Sequence, residues 1–298
     1  DWSSDVCSSD LLIFMIIPGV ILVFVFNYIP MYGALIAFQK FNPVKGIWGS
    51  EWVGLKYFEM FFSNPLSFRL IKNTFLLGLF SLLWGFPAPI ILALLMDQLI
   101  SVKFKKVVQT ISYFPYFIST VVVVGMIKEF FAIDGFVNII RQYFGAEAIS
   151  FMTNSDYFRS IFIGSGIWQG IGWGTIIYLA ALSNVDQELI EASIIDGANR
   201  WQRVRYISWP AIVPTTAVLL IFAVSGILGS DFQKVLLMYS PATYSTADII
   251  STYVYREGIT GGRFEFASAI GLLMSLVSCL LLIIANKVSK TISENSLW

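Results

Sequence analysis

The sequence predicts an all-α polytopic integral membrane protein with six transmembrane helices. Of 298 residues, 57% are apolar and only 13% are charged, too apolar a balance for a soluble domain. Six runs contain no Asp, Glu, Lys or Arg: 11–39, 73–96, 107–127, 160–185, 206–230 and 266–286. Each exceeds the roughly 20 residues that a helix needs to cross a bilayer. Helices are the choice for these runs because a spanning segment has to satisfy its backbone internally, and an open sheet edge cannot do so in lipid.

The runs and their connections can be taken in order. The opening DWSSDVCSSD carries two acids and no base, unlike a secretory signal. It resembles translated adapter sequence, so residues 1–10 are set aside as a non-native leader and the native start is expected to be a short basic cytoplasmic tail. Pro18, Pro87 and Pro89 fall inside spans and predict kinks, or near Pro87 a broken helix lining a cavity. With six spans, both ends and the loops 97–106 and 184–205 share one side. That side holds eight of the nineteen lysines and arginines, but in short segments near span ends, including the KFKK cluster at 103–106 and Lys287 and Lys290. Such placement makes it cytoplasmic. The outer segments are then 41–68, 128–159 and 231–265, the second expected to be partly helical. Their carboxylates, such as Asp134, Asp156 and Glu257, read as solvated loop charges, and Asp231 and Lys234 read as interface charges at the end of the fifth span.

The fourth run stands apart, because Gly164, Gly166, Gly170, Gly172 and Gly174 alternate with Trp168, Gln169, Trp173, Thr175 and Tyr178. Small residues let helices approach closely. The aromatic and polar residues suit a second reading: a saccharide crossing the bilayer needs stacking surfaces and hydrogen-bond partners at depth. Both readings stay open. On the second, Trp168, Gln169, Trp173 and Thr175 face the substrate pathway and Tyr178 lies nearer the cytoplasm.

Between the fourth and fifth runs lies the polar stretch EASIIDGANRWQRVRYISWPAIVP, 191–214. Residues 185–196 predict a short helix with Asp186 and Glu188 in its opening turn after a candidate Asn184 cap. Gly197 sits where a helix needs a left-handed residue to stop. A second helix is expected over 199–208, ended by Trp209 and Pro210. Leu189, Ile190 and Ile194 share one side of the first helix, and Arg200, Arg203 and Arg205 make the second basic.

This hairpin also resembles the cytoplasmic loop of permease subunits of binding-protein-dependent ABC importers, with its pattern EAAxxxG, nine residues, then IxLP. Here Glu191, Ala192 and Ser193 precede Gly197, and nine residues later come Ile207, Trp209 and Pro210. Ser193 replaces the second Ala and Trp209 the Leu. Asp196, Gly197, Ala198 and Pro214 are similar to the carbohydrate-importing branch. Likeness extends to WVGLKYFEMFF, to the Asn73-Thr74 pair that opens the core domain in the family, to VLLMYSPATYSTADIISTYVYREGI, and to the closing SENSLW, the last two matching permeases for complex carbohydrates.

The resemblance implies a type I ABC importer permease. Its expected organisation is the leader 1–10, a first helix with outer loop at 11–68, a core of five helices at 69–290 with the coupling loop 184–212, and a cytoplasmic tail at 291–298. It implies a multi-pass protein of the bacterial cytoplasmic membrane that moves a carbohydrate, an oligo- or polysaccharide fragment. Implied partners are an ABC ATPase dimer, a second permease of a different chain and an extracytoplasmic solute-binding protein. Glu191, Ala192, Ser193, Asp196, Gly197, Ala198, Ile207 and Pro210 are the expected ATPase contacts.

Several chemistries are not suggested by the residues. No GxxxxGK[ST] occurs, so this chain carries no phosphate-cradling loop, no cofactor is expected on it, and ATP and Mg are used by the partner ATPase subunits. There is no histidine, and Cys7 and Cys279 lie far apart, so neither a metal site nor a disulfide framework is expected. Net charge is zero and no basic tract suggests nucleic acid. An intramembrane enzyme acting on a lipid-linked sugar would need buried ionisable groups at mid-depth, and the six runs hold none. No catalytic residue is therefore expected. A channel or scaffold leaves the hairpin unexplained, whereas an ABC permease for a non-sugar solute does not.

Overall fold

The computed structural model describes residues 14–229 and 231–293. The leader 1–10 and residues 294–298 of the expected tail lie outside them. The chain is helical almost throughout and divides into two units, one of residues up to Pro65 with Val254–Leu273, the other of Leu66–Tyr253 with residues from Met274 onward. Sequence had placed the break at 68/69 without a returning segment.

In the first unit, α1 (Phe14–Phe38) leads into a hairpin of β1 (Gln39–Lys40) and β2 (Glu51–Trp52), with Gln39 opposite Trp52. Helix α2 (Lys56–Phe62) follows. Phe38 stacks on Trp52 at 5.7 Å and meets Phe58 at 5.6 Å, which ties the end of α1 to the hairpin and α2. Glu257, expected to be a solvated loop charge, instead pairs with Arg263 at 2.7 Å, and that guanidinium lies over the Phe266 ring.

The second unit begins with α3 (Ser67–Asp97). A bent pair follows, α4 (Val102–Phe117) and α5 (Thr120–Phe130), then the short α6 (Phe136–Tyr143) and the long α7 (Ser155–Ser183). Next come α8 (Gln187–Ile195), α9 (Arg200–Ser225), α10 (Phe232–Met238), α11 (Tyr244–Ala247) and α12 (Ile250–Tyr255). Helix α13 (Phe264–Ser293) runs on from the first unit into the second.

Among the described residues, α1, α3, α9 and the Phe264–Lys290 part of α13 are each long and apolar enough to span, and α4 with α5, bent by 100°, makes either a fifth, broken span or a re-entrant loop. Helix α7 is the sixth expected span. Its 29 residues reach far enough at about 1.5 Å each, but glycines and polar groups dilute its hydropathy. The third span is not the single helix expected over 107–127, because α4 and α5 meet at 100°. Pro115 denies the chain a donor, and Ser119 starts a new helix by accepting from Val122 N.

Prolines act differently from the simple kinks expected. In α1, α3 and α9, a π-helical turn (Phe24–Tyr28, Ser81–Gly85, Val204–Ser208) ends two residues before Pro30, Pro87 and Pro210 respectively. Widening the turn absorbs the missing donor and lets each helix continue. Trp209 and Pro210 accordingly do not end the second hairpin helix, which runs straight into the fifth span.

Two apolar clusters hold the second unit. Leu77, Val124, Ile127, Ile161, Val235 and Met238 join α3, α5, α7 and α10, while Ile90, Ala93, Tyr178, Leu182 and Ile212 join α3, α7 and α9. A polar knot fixes the outer loop. Asn73 donates to the carbonyls of Ser245 and Asp248 and accepts from Arg159, and the Thr74 hydroxyl accepts from Ile250 N. Asn73, Thr74, Asp248 and Ile250 are buried, and a buried polar group that loses its partner costs about 1–3 kcal/mol.

Candidate functional site: a coupling hairpin and a transmembrane cavity

The hairpin is built by local backbone chemistry. Asp186, and not Asn184, caps α8, its carboxylate accepting from Glu188 N at 2.9 Å; Asn184 instead ends α7. At the other end Gly197 has φ +78°. Ala198 N donates to Ser193 O and Gly197 N to Ile194 O, the paired bonds of a Schellman stop that requires a left-handed residue. Asn199 then caps α9 in a reciprocal box with Gln202, at 2.9 and 2.8 Å.

This pattern sets the expected contact residues on a defined surface. Glu191, Ala192, Asp196, Gly197 and Pro210 are exposed, and Ser193, Ala198 and Ile207 are half-buried. Ser193 donates to Ile190 O and Ala198 O accepts from Arg203, so both brace the turn from behind. Leu189, Ile194, Ile195 and Trp201 are exposed apolar groups beside the acids. Ile190 turns away from Leu189 and Ile194 into a recess of about 210 Å³ with Arg203, Ile207, Ser208 and residues 97–100. Ser208 there donates to the Asp97 carboxylate at 2.8 Å, which clamps the hairpin to the end of α3.

The five pathway candidates on α7 are not brought to one surface. Trp168, 46% exposed, lines an apolar cavity of about 610 Å³ with Val123, Met126, Ile127 and Phe130 of α5. Gln169 donates to Ile118 O at 3.1 Å and so satisfies a carbonyl freed by the α4/α5 bend. Trp173 stacks on Tyr116 at 4.5 Å, nearly parallel, and meets Phe117 edge-on. Thr175 is fully buried and donates to Gly172 O, and Tyr178 sits in the second apolar cluster. The glycines sort likewise. A Cβ on Gly172 would overlap the Ser112 carbonyl and one on Gly174 would overlap Pro89, whereas Gly164 and Gly170 leave open space and Gly166 faces the Lys234 ammonium.

A second surface of α7 lines a different cavity, of about 410 Å³. Its walls are Gly78 to Pro89 of α3, Phe162 to Ile171 of α7, and Ala223 to Ile227 at the end of α9. Asp231 and Lys234 also line it. Sequence read them as interface charges, yet Lys234 is 2% exposed. Asp231 caps α10 by accepting from Lys234 N, and the Lys234 ammonium donates to Phe162 O at 3.2 Å and lies 5.1 Å from the Phe162 ring. Burial pushes this ammonium down to about 8, opposed by the Asp231 carboxylate. A signal was present: Asp231 and Lys234 are the sole charges between Arg205 and Asp248. A lone ionisable pair in so apolar a stretch points to function.

Residues 68–291 match the family described as binding-protein-dependent transport system inner membrane component. The chain is 42% identical to Protein LplB of Bacillus subtilis (strain 168) over 298 residues, covering all of this chain and 94% of that protein. It is 41% identical over 285 residues to the polygalacturonan/rhamnogalacturonan transport system permease protein YteP of the same organism, covering 95% and 89%. Among solved structures, it matches a chain of a bacterial ABC transporter involved in the import of the acidic polysaccharide alginate, with TM-score 0.89, 40% identity, and 97% and 98% coverage. The alginate transporter in complex with an alginate pentasaccharide-bound periplasmic protein matches at TM-score 0.89 and 38% identity, with 99% coverage of both chains.

Proposed function

The chain belongs to the family of binding-protein-dependent transport system inner membrane components, and from that premise we propose that it is the permease subunit of an ATP-driven importer for an oligo- or polysaccharide fragment. The observation that carries this reading is the exposed, doubly capped hairpin at Asp186–Pro210, set beside full-length likeness to a permease chain of a polysaccharide importer. A transport subunit with no phosphate-cradling loop has to receive its energy through contact. The hairpin supplies one: two short helices held at a fixed angle by Gly197, clamped through Ser208 to α3. Rotation of a docked ATPase would then reach the spans through α3 and α9.

In this scheme ATP and Mg are handled by a partner ATPase dimer. A second permease completes the pathway, and a solute-binding protein delivers cargo to the outer side. Glu191, Ala192, Asp196 and Gly197 face the ATPase, with Ser193, Ala198, Ile207 and Pro210 shaping that surface. On α7, Trp168 and Trp173 offer half-exposed aromatic faces to a sugar. Gln169 holds those faces in place through the Ile118 carbonyl at the α4/α5 bend, Tyr178 through its packing on α3 and α9, and Thr175 through the Gly172 carbonyl of its own helix.

The test is reconstitution of the chain with its neighbouring permease, ATPase and binding-protein genes in proteoliposomes. ATP-dependent accumulation of an oligosaccharide is expected, and stimulation of ATP hydrolysis by the loaded binding protein. Assembly without uptake of any saccharide would refute the carbohydrate assignment. A cytoplasm-active reporter that works at Gly145 and fails at Ala198 would refute the orientation.

A further inference from the structure

We propose that Lys234 is the recognition cation of the 410 Å³ cavity and binds the carboxylate of an acidic saccharide in transit. The inference rests on the importer reading and narrows its cargo to sugars that carry uronate groups.

A lysine this deeply buried is costly unless its charge is answered. The ammonium can donate three hydrogen bonds. Among the described residues it donates one, to Phe162 O, and the carboxylate nearest in sequence, Asp231, accepts from the Lys234 backbone as a helix cap. The Phe162 ring offers its face at 5.1 Å, an attraction that holds a cation without neutralising it. The charge is therefore positioned and left with donors to spare.

What lies in front of it is space. Gly166, one turn from Phe162 on α7, has the ammonium 3.5 Å from where a Cβ would stand, so a side chain placed there reaches the charge. Gly170 and Gly85 continue the same clearance along the cavity, and apart from Asp231 and Ser81 the remaining walls are mostly apolar. Its volume falls in the range of pockets that enclose a small ligand, about 300–1,000 Å³. A cavity with one buried ammonium and mostly apolar walls, its Asp231 carboxylate engaged as the cap of α10, suits a ring that presents one negative charge and apolar C–H faces, which describes a uronate residue. A phosphate dianion more often draws guanidinium forks or several donors, and no arginine lines this cavity.

The competing role is structural, with Lys234 as a strut between α10 and α7. Binding measurements on the assembled permease–ATPase complex, without the binding protein, separate the two. Trigalacturonate, its fully methyl-esterified form and galactose 1-phosphate serve as probes. Wild type is expected to bind the free acid at least about tenfold tighter than the ester, as a charge-assisted hydrogen bond implies. Lys234→Met should erase that preference while leaving ester binding in place, and Lys234→Arg should keep part of it. Gly166→Asp, which sets a competing carboxylate beside the ammonium, should also erase the preference, whereas Gly166→Asn should keep it. This pair leaves Lys234 intact and so tests the idea even if the lysine variants fail to assemble.

Equal binding of acid and ester by wild type would overturn the proposal. So would an undiminished preference in the assembled Lys234→Met and Gly166→Asp complexes, or tighter binding of the sugar phosphate. A complex that imports neutral oligosaccharides and shows no acid preference would sink this inference and leave the importer reading standing. A complex that neither binds nor imports any saccharide would sink the importer reading itself.

Discussion

The hairpin at 186–210 and the middle of α7 both depend on glycine and polar residues, Gly197 alone in the first and five glycines in the second, and they use them in opposite ways. In the hairpin each special residue acts on its own backbone: Asp186 caps two residues ahead, Gly197 closes the turn behind it, and Asn199 and Gln202 cap one another. In α7 the same residue types act on distant chain. Gln169 bonds Ile118, Gly172 admits Ser112, Gly174 admits Pro89, and Trp173 stacks on Tyr116. A hairpin specified by itself can keep its shape while its partner moves. A helix specified by its neighbours can change only with them. On the proposed reading, coupling and pathway thus place different demands on similar residues.

The largest expected effect breaks the α7 side of that comparison. Gly172→Val puts a branched side chain where the Ser112 carbonyl already stands, and backbone cannot yield as a flexible side chain can. Overpacking of this kind costs about 1–3 kcal/mol or more. Loss of folded permease from the membrane is expected, read by detergent-extracted yield and thermal melting. Normal yield and melting temperature would show that α4 and α7 do not depend on that close approach.

Gly197→Val comes next and breaks the hairpin side. No neighbour lies within 4 Å of a Cβ there, so its cost of about 1 kcal/mol or more comes from φ alone. The permease should remain in the membrane at near-normal yield while ATP hydrolysis stimulated by the loaded binding protein is lost. Gly197→Asn, which tolerates a left-handed backbone, should retain most of it. If both variants couple normally, the fixed angle between α8 and α9 has no role in transmission.

The same contrast explains what could be read from sequence. The helix–turn–helix of the hairpin, the positive φ at Gly197 and the helical character of the spans were legible because turns and uncharged runs act over a few residues. Asn184 lost the cap to Asp186 because the two compete for one position and α7 runs on to Ser183. Continuation of α9 through Pro210 was hidden, since a π turn leaves no composition signal. On α7 the residue types were noticed, but the facing elements were not. Which side of a helix meets the α4/α5 bend, and which meets a cavity, depends on Pro115 and Ser119 some fifty positions earlier. Lys234 was visible with Asp231 as an isolated charged pair, but its burial beside Phe162 is a tertiary fact.

A smaller effect sharpens the α7 side. Trp168→Ala removes a half-exposed ring with no hydrogen bond in the structure, while Gln169→Ala leaves the Ile118 carbonyl without its donor. If Trp168 stacks on cargo, its loss should reduce uptake with the complex still assembled. Gln169→Ala should instead lower the melting temperature, by an amount corresponding to about 1–3 kcal/mol. Parallel losses of assembly and uptake in the Trp168 variant would assign that tryptophan to packing.

The smallest expected effect probes how much rigidity the hairpin needs. Asn199 accepts from Gln202 N at 2.9 Å, and its own N–H donates to the Gln202 side chain at 2.8 Å. Asn199→Ala removes the first bond, and an exposed cap is worth about 1 kcal/mol. Gly197 still sets the turn in that variant, so the entry of α9 frays without changing direction. A partial fall in stimulated ATP hydrolysis is expected, well short of the loss in Gly197→Val. Asn199→Asp keeps an acceptor at the cap and adds a negative charge at a helix N-terminus, which stabilises by about 0.3–1 kcal/mol at an exposed site. It should match or exceed wild type, unless the added charge meets an acidic site on the ATPase. Raising salt distinguishes these cases, because a contact between exposed charges is screened over about 10 Å at 0.1 M and a cap hydrogen bond is not. Full coupling in Asn199→Ala would mean that the Schellman turn alone carries the angle, and a loss as deep as that of Gly197→Val would mean that the first turn of α9 itself bears the ATPase contact.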